Sequence, residues 1–538
     1  MSQNRPPQKQ RSANGRRGVG TRAFERRARA TQKQRARKAS AQERTEPTRG
    51  SWEQLSGLLR RVPKIAWFCA SVAIMNAVCW SIVTPPFQSP DEPDHYAYVK
   101  QIAETATLPR SSKDAYETNI ELLQVMNGLG YPNVRQQPRH RTISTSAAQK
   151  DLERTLTQLR AVPQVKGSFA AGTATAQPPL YYALEAVPYS LASNVLTRLQ
   201  LMRLLSALMA GVTALFVLLF VRETLPGEPW AWTAGGLAAS LTPLLGFVSG
   251  SVNPDALLFA VSAALFYLLA RGFRRGLTLG LALLIGATVA AGSLTKLNFA
   301  GLVPGALLAL ILMGLRARRA SATTPWRSVA VGVAVAVSPI ALYAIVNAAS
   351  GHPIFGIVSS IVGQSHFSLR ELSYVWQLFL PHLPGTTNYF PGIFTTQQFW
   401  FNGYVGLYGW LDTAFPVWVY NVALVPLVGV ALLFARALIS SARALRPRLG
   451  EGLAYLSMAV GLMIAVGVAS YVSFPEQIAT FAEARYLLPL LPLFGAILVL
   501  AARAAGRRWG PLVGALMIVL FFAHDVFSLL LVAARYYS

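Results

Sequence analysis

The sequence predicts an all-α polytopic membrane protein with about eleven transmembrane helices, and three observations predict it. Hydrophobic residues make up 53% of the 538-residue chain and charged residues only 13%, more apolar surface than a soluble chain hides without several large cores. Apolar runs near or above the roughly 20 residues that cross a bilayer recur along the chain. Each can close its backbone hydrogen bonds within one helix, as hydrocarbon requires. Arginines, finally, collect in alternate breaks between those runs.

The first span is expected near 64–84. A mostly polar stretch of about 95 residues follows, and spans resume near 200–221, 230–249, 254–271, 277–293, 298–315, 327–348, 416–436, 452–473, 485–503 and 510–533. The positive-inside rule orients them. With the N-terminus in the cytoplasm, the inner breaks hold Arg222, Arg271, Arg274, Arg275, Arg316, Arg318, Arg319, Arg327, Arg436, Arg443, Arg446, Arg448, Arg503, Arg507 and Arg508. The outward breaks after residue 200 hold only Lys296 and Arg370, with Arg485 at a span end. An odd number of spans puts the C-terminus outside. Two outward loops are long, 85–180 and 349–415, and the first carries helix-like stretches around 91–105 and 144–160. Large loops on a helical scaffold are where an extracytoplasmic site is assembled.

The net charge of +26 suggests nucleic acid until it is located. Residues 1–62 hold 17 Lys and Arg against four Glu, so half of the excess lies in this one tail. Rich in Arg, Gln, Ala and Ser and without a sustained apolar face, the tail is expected to be disordered. It reads as a cytoplasmic topogenic segment held near anionic lipid, with nucleic-acid binding the lesser reading. The apolar segment starts too late and runs too long for a cleavable signal peptide. The transmembrane domain is then 63–538. Cys69 and Cys79 share the first span, about 15 Å apart on a helix, beyond disulfide reach.

Chemistry-bearing residues gather at the outward ends of spans. Just beyond the first span the chain reads TPPFQSPDEPDHYAYVKQIAE. Ser89, with Glu92 three residues on and Pro90 at the first helical position, fits a capping box, and a helix dipole alone favours carboxylates there. Capping does not call for Asp91, Glu92, Asp94 and His95 together. On a helix Asp91, Asp94 and His95 share one face at i, i+3 and i+4, which suits a general base or a divalent cation such as magnesium or manganese. In AQPPLYYAL, Tyr181 and Tyr182 suit an interfacial anchor as well as a ligand contact. In SVNPDALL, Asn253 reads as an N-cap and Asp255 as a first-turn acid beside the loop carboxylates. Lys296, in LTKLNFAG, is the last of nine lysines in the chain. Ionisable groups at membrane depth are functional candidates. Arg203, one turn into the second span, and Arg485 in ARYLLPLLP occupy similar levels, and three such cations can neutralise a lipid phosphate. Asp412, His366 and His382 in the second outward loop form a second tier.

PPFQSPDEPDHYAYVKQIAE, QPPLYYAL, SVNPDALL, LTKLNFAGLVPG, YGWLDTAFP and ARYLLPLLP, in this order, resemble the bacterial membrane proteins of domain-of-unknown-function family 2142, over roughly residues 65–500. That family is similar in layout to the GT-C membrane glycosyltransferases, which carry an acidic motif in the first outward loop and use polyprenyl-phosphate sugars. The resemblance implies that Asp91 and Glu92 correspond to the acidic motif, and that Lys296, Arg485 and its neighbour Tyr486 fall at basic and aromatic positions of the family pattern. The chain departs from the pattern at Gln177, where a histidine usually precedes the two prolines, and at Ala484, where a glycine usually precedes the Arg-Tyr pair.

The expected activity is an inverting transfer of a sugar from a polyprenyl-phosphate donor to a cell-envelope glycan or glycoconjugate, outside the bacterial plasma membrane. Asp91 and Glu92 are the catalytic candidates. Lys296, Arg485, Arg203, Tyr486, Asp94, His95, Asn253 and Asp255 are the substrate-binding ones. The rival is a transporter or flippase for a polyprenyl-linked glycan, which calls for polar residues along a translocation path.

Overall fold

In a computed structural model of the protein, the described residues are 62–109, 119–137, 145–166, 172–320, 325–349, 368–390, 397–473 and 483–537. The basic tail and His366 lie outside them. Helix α1 (Lys64–Val83) is the first expected span. The first long loop holds α2 (Glu92–Thr105), α3 (Ile120–Gly128), α4 (Ser146–Arg160) and α5 (Leu180–Ser190). A bundle follows, of α6 (Val195–Thr224), α7 (Pro229–Ser240), α8 (Pro243–Ser249), α9 (Asp255–Arg275), α10 (Leu279–Ser293), α11 (Val303–Arg319) and α12 (Pro325–Ala349). The second long loop contributes α13 (Leu369–Phe379) and a two-strand antiparallel hairpin, β1 (Leu407–Tyr408) and β2 (Thr413–Ala414). Helices α14 (Val417–Leu445), α15 (Leu449–Ser473), α16 (Leu491–Ala504) and α17 (Gly510–Tyr537) complete the chain.

All eleven expected apolar segments are therefore helical. Among the described residues, eight runs are long and apolar enough to cross a membrane, or nine if the bent pair α7–α8 is one span. One of the eight, Val417–Val472, is 56 residues long, about 84 Å of helix, against a hydrocarbon core of about 30 Å. It contains α14 and α15, joined by a short 3-10 turn at Arg446–Arg448. The remaining segment, Leu279–Ser293, has only 15 residues and falls short on length. Large apolar side chains point outward from these helices, Met75, Ile82, Val425 and Ile439 among them, the surface a bilayer covers.

Two features of the bundle position the loops. Helices α7 and α8 meet at 52°, because Pro243 follows the break and cannot donate to the preceding turn. Small residues then bring α8 against α1: a Cβ at Gly250 would stand 2.7 Å from the Ala77 carbonyl oxygen. The turn 250–254 is thereby held beside the end of α1. Behind residue 296, Gly461 of α15 meets the carbonyl of Gly301 with no room for a side chain on either.

The arginine-bearing breaks meet at the other end of the bundle. Arg274 donates to the Glu223 carbonyl at 2.7 Å, Arg448 to the Thr224 carbonyl at 3.1 Å and Arg316 to the Pro447 carbonyl at 3.0 Å, while Arg503 pairs with Glu228 at 2.8 Å. If that end is cytoplasmic, a membrane-impermeant thiol reagent applied to whole cells labels Asn133→Cys and His382→Cys, in a background lacking Cys69 and Cys79, and leaves Ser440→Cys unlabelled. Labelling of Ser440→Cys from outside rejects this orientation.

Candidate active site

Glu92 and Arg203 meet below the first long loop, away from water. Their side chains are 0% and 1% exposed. Arg203 donates from Nε to Oε1 at 2.8 Å and from Nη2 to Oε2 at 2.6 Å, a bidentate pair of the strongest neutralising geometry. Its remaining N–H groups reach the carbonyls of Ser81 and Thr84, each at 2.9 Å, and of Pro85 at 3.1 Å. The five donors of the guanidinium are thus engaged. Glu92 also accepts from the backbone N–H of Phe87 and of Val252, each at 3.0 Å. This corrects two expectations. Arg203 has no donor left for a lipid phosphate, and the Glu92 carboxylate is consumed by four hydrogen bonds. Both tie α1, the loop and the turn before α9 into one block.

The helix start also differs from expectation. Ser89 is not the cap; α2 begins at Glu92, and its N-cap is Asp91, left-handed at φ 62° with no side-chain capping bond. Phe87, at φ 64°, is left-handed too. Such conformations cost free energy outside glycine and concentrate at functional sites. The pull of Glu92 on Phe87 N–H and the prolines on either side force this path. Because Asp91 stands off the helix, it does not share a helical face with Asp94 and His95.

Asp91 turns instead toward a second charged group. Its Oδ2 accepts from Arg485 Nη2 at 3.1 Å. Arg485 also pairs with Glu483 at 2.8 Å and lies 3.8 Å from Asp255, whose other oxygen accepts from Lys296 Nζ at 2.8 Å. The Tyr486 ring lies beneath both cations, with Lys296 Nζ 5.0 Å from its centroid and the Arg485 guanidinium carbon 5.3 Å away, within cation–π range. The exposure is uneven. Asp255 is 0% exposed, Arg485 5% and Lys296 8%, whereas the Asp91 side chain is 38% exposed. Three carboxylates therefore surround two cations, and only Asp91 reaches well out of the cluster.

Local structure explains each placement. Asn253 accepts from Asp255 N–H at 3.0 Å and so serves the start of α9, which leaves the Asp255 carboxylate for Lys296. Lys296 is extended, at φ −155° and ψ 144°, between α10 and the 3-10 turn Leu297–Leu302. The Leu180 N–H donates to the Leu294 carbonyl at 3.0 Å, so the QPPLYY and LTKLNF segments abut. Arg485 and Tyr486 open a 3-10 turn, Ala484–Leu490, ahead of α16.

His95 pairs with Tyr182, Nδ1 to hydroxyl at 3.0 Å. Asp94 lies against Gly172, where an added Cβ would meet Asp94 Oδ2 at 2.5 Å. Asp91, Asp94 and His95 thus have separate surroundings, and the expected three-ligand metal set is corrected: among the described residues no group of three His, Cys, Asp or Glu side chains is gathered to hold an ion. Asp412 pairs with Arg535 at 3.0 Å and His382 with the Thr386 carbonyl at 2.8 Å, both as loop-folding contacts. Glu483 was not singled out from the sequence. Its rarity was a usable signal, since it is one of nine carboxylates after residue 200.

The charges act on one another. Burial pushes the Asp91 carboxyl upward, but Arg485, which also hydrogen-bonds it, and Lys296 outweigh it and hold the pKa below its ordinary value. Burial pushes His95 down to about 3, against the pull of Asp91. Burial raises Glu483 against the opposing effect of Arg485. Near neutral pH the site presents an ionised Asp91 and an uncharged imidazole.

Fold and site define an all-α, multi-spanning membrane protein with a buried ion-pair cluster beneath the long loops at one end of its bundle. The chain belongs to the family described as predicted membrane protein (DUF2142), whose model matches residues 74–494. No curated protein sequence matches it. Among solved structures, it is similar to ArnT from Cupriavidus metallidurans in the apo state, at 15% identity and a TM-score of 0.39, over 85% of this chain and 71% of that one. It is also similar to the apo oligosaccharyltransferase of Archaeoglobus fulgidus, at 11% identity and a TM-score of 0.39, over 87% of this chain and 56% of that one.

The saturation of Arg203 has a measurable consequence. Arg203→Met leaves Glu92 buried and unpaired, which costs about 3–5 kcal/mol, read as a loss of thermal stability in detergent. A variant of unchanged stability that had lost carrier-lipid binding would return Arg203 to the donor site.

Proposed function

We propose that the protein is a membrane glycosyltransferase that moves a sugar from a polyprenyl-phosphate donor to a cell-envelope acceptor on the extracytoplasmic face of the plasma membrane. One observation carries this reading: Asp91, an ionised and partly exposed carboxylate, stands directly in front of two buried cations. A base facing outward with cations behind it suits attack by a hydroxyl on a carbon bearing a phosphate. The family resemblance supports the donor class, and the gathering of arginines at the opposite end of the bundle supports the extracytoplasmic side.

The step balances as a displacement. Asp91 accepts the proton of the acceptor hydroxyl while that oxygen bonds to the anomeric carbon. The bond from that carbon to the phosphate oxygen breaks, its electron pair leaves with the phosphate, and the configuration inverts. Lys296 and Arg485 stabilise the negative charge that grows on the departing phosphate. In the resting cluster both cations are already paired, so the donor phosphate takes the place of Asp91 on Arg485. That exchange frees the carboxylate for the acceptor. Asp255 and Glu483 keep Lys296 and Arg485 in position throughout.

Asp91→Asn keeps the shape and removes the basic oxygen. Transfer by the purified variant is expected to fall about 10² to 10⁴-fold, while carrier-lipid affinity holds or rises because Arg485 loses its competitor. Near-normal transfer rejects the base assignment and moves the flippase reading ahead. Lys296→Met takes the hydrogen-bonded partner from buried Asp255 and leaves it only the more distant Arg485 at 3.8 Å, so the informative variant is Lys296→Met with Asp255→Asn. It should unfold near the wild-type temperature and bind carrier phosphate more weakly. Wild-type carrier affinity in this folded variant removes Lys296 from the donor site.

The pH dependence follows from the two shifts. Asp91, lowered, stays ionised and His95, lowered, stays neutral throughout pH 5–8, so transfer has no acid limb from either group in that window. An acid limb near the ordinary histidine value of about 6.5 that vanished in His95→Gln would contradict it.

A further inference from the structure

Helix α5 has the wrong side out for a helix in a water-facing loop. Tyr181, Tyr182, Glu185 and Tyr189 share its buried face. Leu184, Val187 and, just past its end, Leu191 stand exposed on the opposite one. Their spacing of i, i+3 and i+7 makes a single apolar stripe. In water, burial of apolar surface and hydration of polar groups favour the reverse arrangement. The two tyrosines of QPPLYYAL, which suit an interfacial anchor by sequence, are instead enclosed by protein.

Hydrogen bonds fix the level of this stripe on the bundle. Ser206 Oγ donates to Glu185 Oε1 at 2.9 Å and meets the Tyr181 hydroxyl at 2.8 Å. Arg198 Nη1 donates to the Tyr189 hydroxyl at 2.7 Å. Helix α5 therefore runs antiparallel along the first part of α6, its start beside Ser206 and its end beside Arg198. On either side of Ser206, Leu204 and Leu208 begin an exposed apolar row that Val212 continues, part of the surface a bilayer covers. Leu184 stands at that level, so the stripe on α5 carries the same surface onto the loop helix. The polar groups around it are already engaged. The Ser190 hydroxyl donates to the Ala186 carbonyl at 2.7 Å, and Arg198 Nε closes the turn after α5 on the Ala192 carbonyl at 3.1 Å. Hydrocarbon demands such internal satisfaction. Both helices and their turn lie within the described stretch 172–320.

We propose that α5 is a half-membrane helix seated in the leaflet on the loop side, with Leu184, Val187 and Leu191 against lipid chains. Its 11 residues span about 16 Å, half of a hydrocarbon core of about 30 Å, so it enters one leaflet and cannot cross. The deep end is the QPPLYY segment, whose Leu180 N–H bonds the Leu294 carbonyl two residues before Lys296. Lys296 is thereby set at the depth of lipid rather than of the water above it. This lipid contact stands whether or not the protein transfers a sugar.

The test uses full-length protein lacking Cys69 and Cys79, in vesicles of phosphatidylethanolamine and phosphatidylglycerol. Single nitroxide labels are placed through Leu184→Cys, Val187→Cys and Leu191→Cys, all exposed positions, with folding checked by thermal unfolding. Leu208→Cys is the lipid-facing reference, and Lys150→Cys, exposed on α4, the water-facing one. Each label is relaxed by molecular oxygen, which concentrates in hydrocarbon, and by a water-soluble nickel chelate equilibrated across the membrane. The ratio of oxygen to nickel collisions is expected to be about tenfold higher at Val187→Cys than at Lys150→Cys, because hydrocarbon excludes the polar chelate. It should match Leu208→Cys at Leu184→Cys and decline toward Leu191→Cys. Ratios at Leu184→Cys and Val187→Cys like that of Lys150→Cys put the stripe in water and overturn the proposal. Scarce collisions with both reagents mean that protein covers it, a second copy of the chain included, and overturn it as well. A ratio that rises from Leu184→Cys to Leu191→Cys reverses the depth and rejects the half-membrane placement.

Discussion

The ion pair between Glu92 and Arg203 is the constraint on which the rest of this site depends. Two opposite charges held out of water are tolerated only when every donor and acceptor around them is satisfied. Here the carboxylate takes four hydrogen bonds and the guanidinium uses all its N–H groups. The bonded carbonyls and amides belong to the end of α1, the loop behind it and the turn before α9. Satisfying one pair therefore sets the positions of three chain segments. Asp91 and Asp255 are covalent neighbours of those segments and inherit their placement.

The second cluster obeys different physics. Asp255 and Lys296 form a buried pair, whose geometry is held by the start of α9 and the turn after α10. Asp91 and Arg485 form a pair at the edge, one partner buried and the other partly in water. An enclosed pair is costly to separate, whereas a half-exposed one is weaker and exchangeable. The inner pair is the fixed one of the two, and the outer pair is the one that can exchange partners. Tyr486 lies under both cations and limits how far either can swing.

Bundle packing supports this without taking part in it. Proline breaks α7 from α8, and glycine lets α8 lie against α1, which together hold the turn at residue 252 within reach of Glu92. Paired glycines let α15 close behind the Lys296 turn. The arginines of the opposite end bond to helix-terminal carbonyls, so the charged residues of the bundle divide by end. The last helix returns to the loop side, where Arg535 ties its end to the first long loop and to the hairpin.

The order and number of the apolar segments were legible in the sequence, because a bilayer demands length and hydropathy that local composition displays directly. Asp91, Asp255, Lys296 and Arg485 were legible as candidates for a related reason: a charge at the end of an apolar run is conspicuous. What each charge does was not legible. Arg203 and Arg485 look alike in the chain, one near the start of its helix and the other near the start of its own. Arg203 is saturated by partners up to 122 residues away, while Arg485 meets Asp91 from 394 residues away. Nor does helical spacing foretell that Asp91 sits left-handed outside α2, which parted it from Asp94 and His95, or that Glu483 shares Arg485. Hydropathy is a local property and survives in the sequence, whereas hydrogen-bond saturation is a property of the assembled neighbourhood. Only the tertiary structure decided which charges are spent on the fold and which one reaches out of its cluster.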